Sequence, residues 1–199
     1  MVQKLDTLQE TPSQTAGPYV HIGTVPSYAG LGDIYADEFG RATFADGAKG
    51  EVIEITGRVF DGTGAVLRDA MFEVWQADAA GKYPGQEGAD PKITGWARVC
   101  ADPESGEWGL RTIKPGRTIN RDGRAQAPHI AIWIVARGIN VGLQSRIYFD
   151  DEDNEGDPVL ARIEHTHRIE TLLAKTGDAG AYRFDIRLQG EGETVFFDM

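Results

Sequence analysis

Residues 127–138 read Ala-Pro-His-Ile-Ala-Ile-Trp-Ile-Val-Ala-Arg-Gly, and this stretch decides the fold. Successive side chains of a strand point to opposite faces, so the three isoleucines line one face while an alanine, a tryptophan and a valine line the other. A strand that is apolar on both faces is covered on both faces, which predicts a central position in a sandwich or barrel. The two polar groups lie at its ends, with His129 at the entrance and Arg137 at the exit.

The other predicted strands follow one another at short intervals. Alternating or β-branched runs, separated by turn sequences such as Asp61-Gly-Thr-Gly, predict strands at 52–60, 70–76, 95–100, 107–113, 144–149 and 182–188. Only 158–175 has a helical period, with a proline at its start and a glycine just after its end. Residues 1–50 predict an arm and an irregular segment with at most a short helix at 33–39. We therefore expect an all-β protein, a single β-sandwich domain over 1–199 whose sandwich is formed by 51–199.

Composition and charge exclude several classes of function. The chain has 199 residues, 41 % of them hydrophobic, which suits one sizeable core. Its formal net charge of −11 argues against a nucleic-acid surface, and a small anion bound to such a protein needs a local cation. Cys100 is the single cysteine, so no intrachain disulfide can form. The polar N-terminus has no apolar signal core and no run approaches the ~18 apolar residues of a membrane span, so we expect a cytoplasmic protein with no membrane partner.

The four histidines form no obvious metal site. His165 and His167 are two positions apart in the predicted helix, where their side chains would point in nearly opposite directions. His21 lies in the arm with no nearby acid or cysteine. A histidine two positions after His129 would direct a second imidazole to the same point, but that residue is Ala131. The residues alone leave open a purely structural, hydrogen-bonded His129.

Several separated motifs resemble the intradiol ring-cleaving dioxygenases over nearly the whole chain. They are Phe72-Glu-Val-Trp-Gln-Ala-Asp-Ala-Ala-Gly-Lys-Tyr83, Arg111-Thr-Ile-Lys-Pro-Gly116 and Pro128-His-Ile, with Thr15-Ala-Gly-Pro-Tyr19 and Gly190-Glu-Gly-Glu-Thr-Val-Phe-Phe-Asp198 towards the ends. The resemblance implies a β-sandwich, in agreement with the strand pattern. It also implies the family's chemistry, in which a non-haem Fe(III) held by two tyrosines and two histidines binds a catechol, and dioxygen splits the ring between the hydroxyl carbons.

Only half of the family's metal ligands are present. By resemblance the first tyrosine falls on Tyr83 and the first histidine on His129, whereas the second histidine falls on Ala131. The second tyrosine should follow Lys-Pro-Gly, where this chain has Arg117 and Thr118. Each missing ligand leaves a coordination position that only water can fill, so we expect this chain to bind no metal.

The resemblance therefore implies an iron-free alpha subunit of a hetero-oligomer, with no catalytic residue of its own. Its partner would be a homologous beta subunit that carries Fe(III) and uses O2 to cleave protocatechuate (3,4-dihydroxybenzoate) to 3-carboxy-cis,cis-muconate. The residues implied on the substrate side of the partner's site are Thr15, Gly17, Pro18 and Arg137. A guanidinium suits the substrate carboxylate, while glycine and proline would allow close approach of a stiff backbone.

Three alternatives remain open from the sequence. One is a purely structural assembly subunit with no pocket residue, in which Arg137 forms a salt bridge at the interface. Another is a stand-alone dioxygenase with unusual ligands, which iron content would reveal. The last is a sandwich module that binds some other small ligand, although the number of agreeing motifs counts against it.

Overall fold

The computed structural model describes residues 14–34 and 38–198, which are mostly strand and loop. One α-helix, α1 (Pro18–Thr24), and two short 3-10 helices (Pro26–Ala29 and Gly32–Ile34) come first in this part of the chain. Two further 3-10 helices lie at Leu160–Arg162 and Thr166–Leu172. The strands that the structure describes are β1 (Val52–Phe60), β2 (Val66–Leu67), β3 (Met71–Gln76), β4 (Trp96–Cys100), β5 (Glu107–Ile113), β6 (Thr118–Ile119), β7 (Ala125–Gln126), β8 (His129–Val135), β9 (Leu143–Phe149), β10 (Leu173–Thr176), β11 (Ala181–Arg183) and β12 (Ile186–Arg187).

Ten of these described strands join one curled sheet. Its path runs β12-β1-β11-β10-β9-β8-β3-β4, and β2 and β5 also pair with β1. The strand that contains the opening sequence, β8, lies between β3 and β9 and is antiparallel to both. The predicted central position of this strand is therefore confirmed. β6 and β7 form a separate antiparallel hairpin that comes just before β8 in the sequence.

The core lies between the two halves of the curled sheet. Ile55 of β1 and Trp108 of β5 belong to the same buried cluster as Phe72 of β3 and Ile132 of β8, and the ring centroids of Phe72 and Trp108 are 5.0 Å apart. All three isoleucines of β8 are almost completely buried in this cluster, and each contributes roughly 1.5–3 kcal/mol by burial. The residues that alternate with them are only half-buried. The second apolar face of β8 is thus covered less within this chain than its sequence predicts.

The predicted helix at 158–175 is not a single helix. It consists of the two 3-10 helices Leu160–Arg162 and Thr166–Leu172, and it ends in β10. This last part pairs in parallel with β9 and antiparallel with β11, so sheet hydrogen bonds replace the helical ones. Leu160 and Leu172 are both buried in a second apolar cluster, which explains why their spacing resembles a helical period.

The N-terminal segment contains a helix that the sequence analysis missed. Helix α1 begins at Pro18, with Gly17 as its N-cap, inside the segment expected to be an arm without regular structure. Seven residues are too few to produce a detectable helical period, so the sequence pattern does not reveal this helix. The short helix expected at 33–39 is a 3-10 helix at Gly32–Ile34, and residues 35–37 lie outside the described part of the chain.

The predicted strand at 182–188 is divided between β11 and β12. Tyr182, Phe184 and Ile186 are all buried, as the alternation predicts. The division falls at Phe184, whose carbonyl oxygen lies close against Gly57. A Cβ at Gly57 would be 1.8 Å from that oxygen, so only glycine allows this contact. Among the described residues, no helix has the length and apolar character needed to cross a bilayer.

Candidate functional site

Tyr83 and His129, the two family ligand positions that are retained, meet at the entrance of β8. The Tyr83 hydroxyl is 3.4 Å from Nε2 of His129. Nδ1 of His129 donates to the carbonyl of Ala127 at 2.8 Å, which leaves Nε2 as an acceptor. Desolvation by burial, together with the nearby Arg146 charge, lowers the pKa of His129 to about 4. The imidazole is therefore neutral near pH 7, and it accepts a proton only in acid.

The loop after β3 holds Tyr83 in place before any ligand binds. The buried carboxylate of Asp78 accepts hydrogen bonds from three backbone amides of this loop and its continuation, at 2.8 to 2.9 Å. Gly81 has a φ of +76°, and a Cβ there would be 1.8 Å from the carbonyl oxygen of Arg117, so the close approach requires glycine. The ring of Trp75 stacks on that of Tyr83, with centroids 5.8 Å apart. Burial raises the pKa of Tyr83, so its phenol keeps its proton at neutral pH.

A cation of the protein lies opposite the missing histidine. In the β8–β9 ladder Ala131 pairs with Arg146, and His129 pairs with Tyr148, so these four side chains share one face of the sheet. Nη1 of Arg146 donates to Oε1 of Gln126 at 3.1 Å and to the hydroxyl of Tyr148 at 3.3 Å. This face therefore presents a fixed positive charge where a metal ion would need donor atoms.

These residues do not fit an Fe(III) centre. In the part of the chain that the structure describes, no three His, Cys, Asp or Glu side chains are grouped so that they could hold a metal ion. The Tyr148 hydroxyl is 3.4 Å from Asp157, and burial raises the pKa of Tyr148, so this phenol is not an available tyrosinate. Thr118, in the region where a second tyrosine was expected, is buried on β6. The donors that remain are a protonated phenol and one imidazole, beside a guanidinium.

The other predicted residues lie at the opposite end of β8. Thr15 Oγ1 donates to the carbonyl of Ala136 at 3.2 Å and accepts from the amide of Gly138 at 2.7 Å. The two hydrogen bonds flank Arg137, so the N-terminal segment is attached to the exit of the central strand across 121 residues of sequence. At ~3.3 Å per residue, this end of β8 is about 26 Å from His129.

The guanidinium of Arg137 is mostly exposed. Its Nε is 3.3 Å from Oδ2 of Asp69, and 72 % of the Arg137 side chain is accessible to solvent. An ion pair this exposed contributes at most about 1 kcal/mol. Arg137 and Asp69 also line an open cavity of about 520 Å³ together with Tyr28. The guanidinium can therefore bind a carboxylate that another molecule presents.

Gly17 and Pro18 continue the segment that Thr15 attaches to β8. Gly17 precedes α1 and Pro18 begins it, and a Cβ at Gly17 would meet no atom of residues 14–34 or 38–198 within 4 Å. Tyr19, the next residue, is 83 % exposed. The segment thus leaves an open surface beside its glycine, and packing within the described residues does not explain why a glycine is needed there.

The remaining histidines lie apart from both groups. His21 is buried and its ring stacks on Tyr28, with centroids 4.5 Å apart. His165 and His167 are exposed, and their ring centroids are 5.9 Å apart. Sequence reasoning missed Arg146 and Tyr148, because only the register of β8 against β9 places them on the face of His129.

The fold and these motifs define a class of enzyme. Residues 24–190 match the family model described as Dioxygenase, and the chain belongs to this family, the intradiol ring-cleaving dioxygenases. The chain is 48 % identical to the protocatechuate 3,4-dioxygenase alpha chain of Pseudomonas putida over 98 % of both chains. It is 42 % identical to the alpha chain of the same name from Burkholderia cepacia, over 98 % of this chain and 100 % of that one. The resemblance inferred from the motifs is thereby confirmed.

Two more distant similarities agree with this assignment. The protocatechuate 3,4-dioxygenase beta chain of Burkholderia cepacia is 34 % identical over 73 % of this chain and 67 % of its own length. The crystal structure of 3-chlorocatechol 1,2-dioxygenase from Rhodococcus opacus 1CP superposes with a TM-score of 0.58 at 20 % identity, covering 74 % of this chain and 63 % of that one. The structural similarity shows the fold, and the predicted β-sandwich is confirmed.

Proposed function

We propose that this chain is the alpha subunit of a protocatechuate 3,4-dioxygenase, paired with a homologous beta subunit. Its full-length identity of 48 % to a chain of that name carries the proposal. The complex would cleave protocatechuate with O2 to 3-carboxy-cis,cis-muconate, and the Fe(III) held by the beta subunit would supply the chemistry at the ring. Because its donor set does not fit iron, this chain would hold no metal and would contribute to the partner's substrate pocket.

Arg137 is the residue of this chain proposed to face the substrate. Its exposed guanidinium would hold or attract the carboxylate of protocatechuate, and its Nε lies 3.3 Å from Oδ2 of Asp69. Thr15 would keep the N-terminal segment against the strand that carries Arg137. Gly17 and Pro18 would form a stiff wall beside it, where the backbone can approach the ring closely. No residue of this chain is assigned a catalytic role.

The same proposal treats residues 1–199 as one domain, with 1–50 as an arm and irregular segment and 51–199 as the sandwich. Two contacts support it. The Thr24 hydroxyl is 3.1 Å from the sulfur of Met71, and the Tyr28 hydroxyl donates to the carbonyl of Arg68 at 3.1 Å. The N-terminal segment is therefore attached to the sandwich at more than its Thr15 contact.

The pocket role is tested by Arg137→Ala in the alpha–beta complex, with Asp69→Asn as the matched control. A charged hydrogen bond contributes about 1.5–3 kcal/mol, so kcat/KM for protocatechuate should fall roughly 10- to 150-fold in Arg137→Ala. Asp69→Asn removes only the exposed ion pair and should change kcat/KM less than about threefold. Catechol lacks the carboxylate, so kcat/KM for catechol should be the same in wild type and Arg137→Ala.

Two results would favour a purely structural subunit instead. Unchanged kinetics in Arg137→Ala would remove the pocket role. Equal losses in Arg137→Ala and Asp69→Asn would assign the effect to their ion pair. Iron analysis separates the remaining alternative, because the proposal requires one iron per alpha–beta pair, whereas two would mean that this chain is itself a metal-binding dioxygenase.

A further inference from the structure

A pocket beside Arg146 has no role in the function proposed above. Its volume is about 560 Å³, within the range of pockets that bind small molecules. The aliphatic and aromatic side chains of Ile163 and Phe197 form part of its wall, and three arginines, Arg146, Arg162 and Arg168, also line it. An apolar wall combined with several guanidinium groups is unusual in a chain whose formal net charge is −11.

Arg146 keeps hydrogen-bond donors available in this pocket. Both of its hydrogen bonds to the protein use Nη1, and both acceptors, Gln126 and Tyr148, are uncharged. Among the residues described, no carboxylate forms an ion pair with Arg146, and its Nε and Nη2 donate to no protein atom. A guanidinium edge with free N–H groups matches the two oxygens of a carboxylate.

The charges around the pocket balance in number, with three arginines against Glu164, Glu193 and Asp198, but they are unevenly placed. Arg168 is neutralised by Glu193, whose Oε1 is 2.9 Å from Nη2. Arg162 is exposed and forms no ion pair with the described residues. Two acids, Glu164 and Asp198, line the pocket as well, and both are exposed to solvent. Of the residues that line the pocket, those at its half-buried end therefore include the Arg146 guanidinium and no carboxylate. The buried Asp157 carboxylate lies behind this end, where it accepts hydrogen bonds from three backbone amides and contacts the Tyr148 hydroxyl.

We propose that this pocket binds a small carboxylate with an apolar or aromatic body. Arg146 would hold the carboxylate at the inner end, Arg162 would attract it at the rim, and the wall near Phe197 would cover the body. The substrate of the proposed reaction is an aromatic carboxylate and its product is a ring-opened tricarboxylate, so this choice of ligands rests on the proposed function. The site itself rests only on the pocket and its arginines.

The test measures binding to the intact alpha–beta complex by equilibrium dialysis. The probes are 4-hydroxybenzoate, an aromatic carboxylate that is not a catechol, adipate as an aliphatic dicarboxylate, and the uncharged 4-hydroxybenzamide. We expect two classes of 4-hydroxybenzoate site per alpha–beta pair. Arg146→Gln should weaken one class at least about tenfold, because a charged hydrogen bond is lost. Tighter binding of 4-hydroxybenzoate than of adipate would indicate an aromatic ligand, and the reverse order a ring-opened one.

Two further variants separate this site from the proposed function. Arg162→Gln should weaken the same class several-fold. It disturbs no side-chain hydrogen bond among the described residues, so it remains informative if Arg146→Gln folds poorly. Arg111→Gln removes an arginine outside this pocket, one that lies over the ring of Phe44, and should leave both classes unchanged. Arg137→Ala should affect only the other class, which belongs to the partner's site.

Three results would overturn the inference. One is a single class of site per alpha–beta pair. Another is that both classes survive Arg146→Gln and Arg162→Gln unchanged. The third is that 4-hydroxybenzamide binds the second class as tightly as 4-hydroxybenzoate, since charge would then not determine recognition. If Arg137→Ala left the kinetics unchanged, the proposed pocket role would fail, but the number of site classes, the effects of the Arg146 and Arg162 variants and the amide comparison would still test this inference.

Discussion

His129 should make the stability of this protein fall in mild acid. Burial lowers the pKa of His129 from 6.5 to about 4 in the folded state, whereas the unfolded chain has the ordinary value. Between these two pH values the unfolded state binds more protons than the folded state. The stabilisation is therefore complete above about pH 6.5, and it is lost as the pH falls towards 4.

The size of the effect follows from the two pKa values. Lowering the pH from 7 to 5 should reduce the free energy of unfolding by about 2 kcal/mol through His129 alone, and the full loss below pH 4 is about 3 kcal/mol. The variant His129→Asn isolates this contribution, because its side-chain amide can still donate to the carbonyl of Ala127 but cannot titrate. His167→Asn, which changes an exposed histidine, is the matched control.

Urea unfolding at pH 7 and pH 5 measures the difference for each protein. Asparagine will lower the stability at both pH values, so only the change between them matters. The change should be about 2 kcal/mol smaller in His129→Asn than in wild type, and His167→Asn should behave as wild type. Equal changes in wild type and His129→Asn, to within about 0.5 kcal/mol, would refute the assignment of a buried neutral imidazole.

Three further predictions test other parts of the structure. Thr15→Val removes both hydrogen bonds to the exit of β8, so hydrogen exchange of the Gly138 amide should become about five- to tenfold faster. Thr15→Ser keeps the hydroxyl, so the Gly138 amide should exchange as slowly as in wild type. Ala131→His should leave the iron content at one per alpha–beta pair, because the Arg146 guanidinium still faces that position; elemental analysis of the purified complex measures it. Gln76→Leu should destabilise the protein by about 3 kcal/mol in urea unfolding, because the buried Thr112 hydroxyl loses one of its two partners and the Ile113 carbonyl loses a donor. Gln76→Glu should be no more stable, because a carboxylate cannot donate to that carbonyl.

The strands could be predicted wherever the pattern is local. β1 and β5 have the predicted bounds, since side-chain alternation and flanking turn residues are read within a few positions. The prediction of a helix at 158–175 was wrong because its conformation is not set locally. Its apolar spacing is real, but the last part of the segment hydrogen-bonds as β10 to the more distant β9 and to β11 just after it, and a local period does not show this pairing.

The sequence by itself determined the family and the loss of two metal ligands. Both losses are matters of residue identity, since Ala131 replaces a histidine and no tyrosine comes shortly after Lys-Pro-Gly. Only the tertiary structure decided what lies in their place. The register of β8 against β9 puts Arg146 opposite Ala131, and folding brings Thr15 to the strand end beside Arg137. Such contacts join residues that are distant in sequence, and a local pattern carries no information about which distant residue will be the partner.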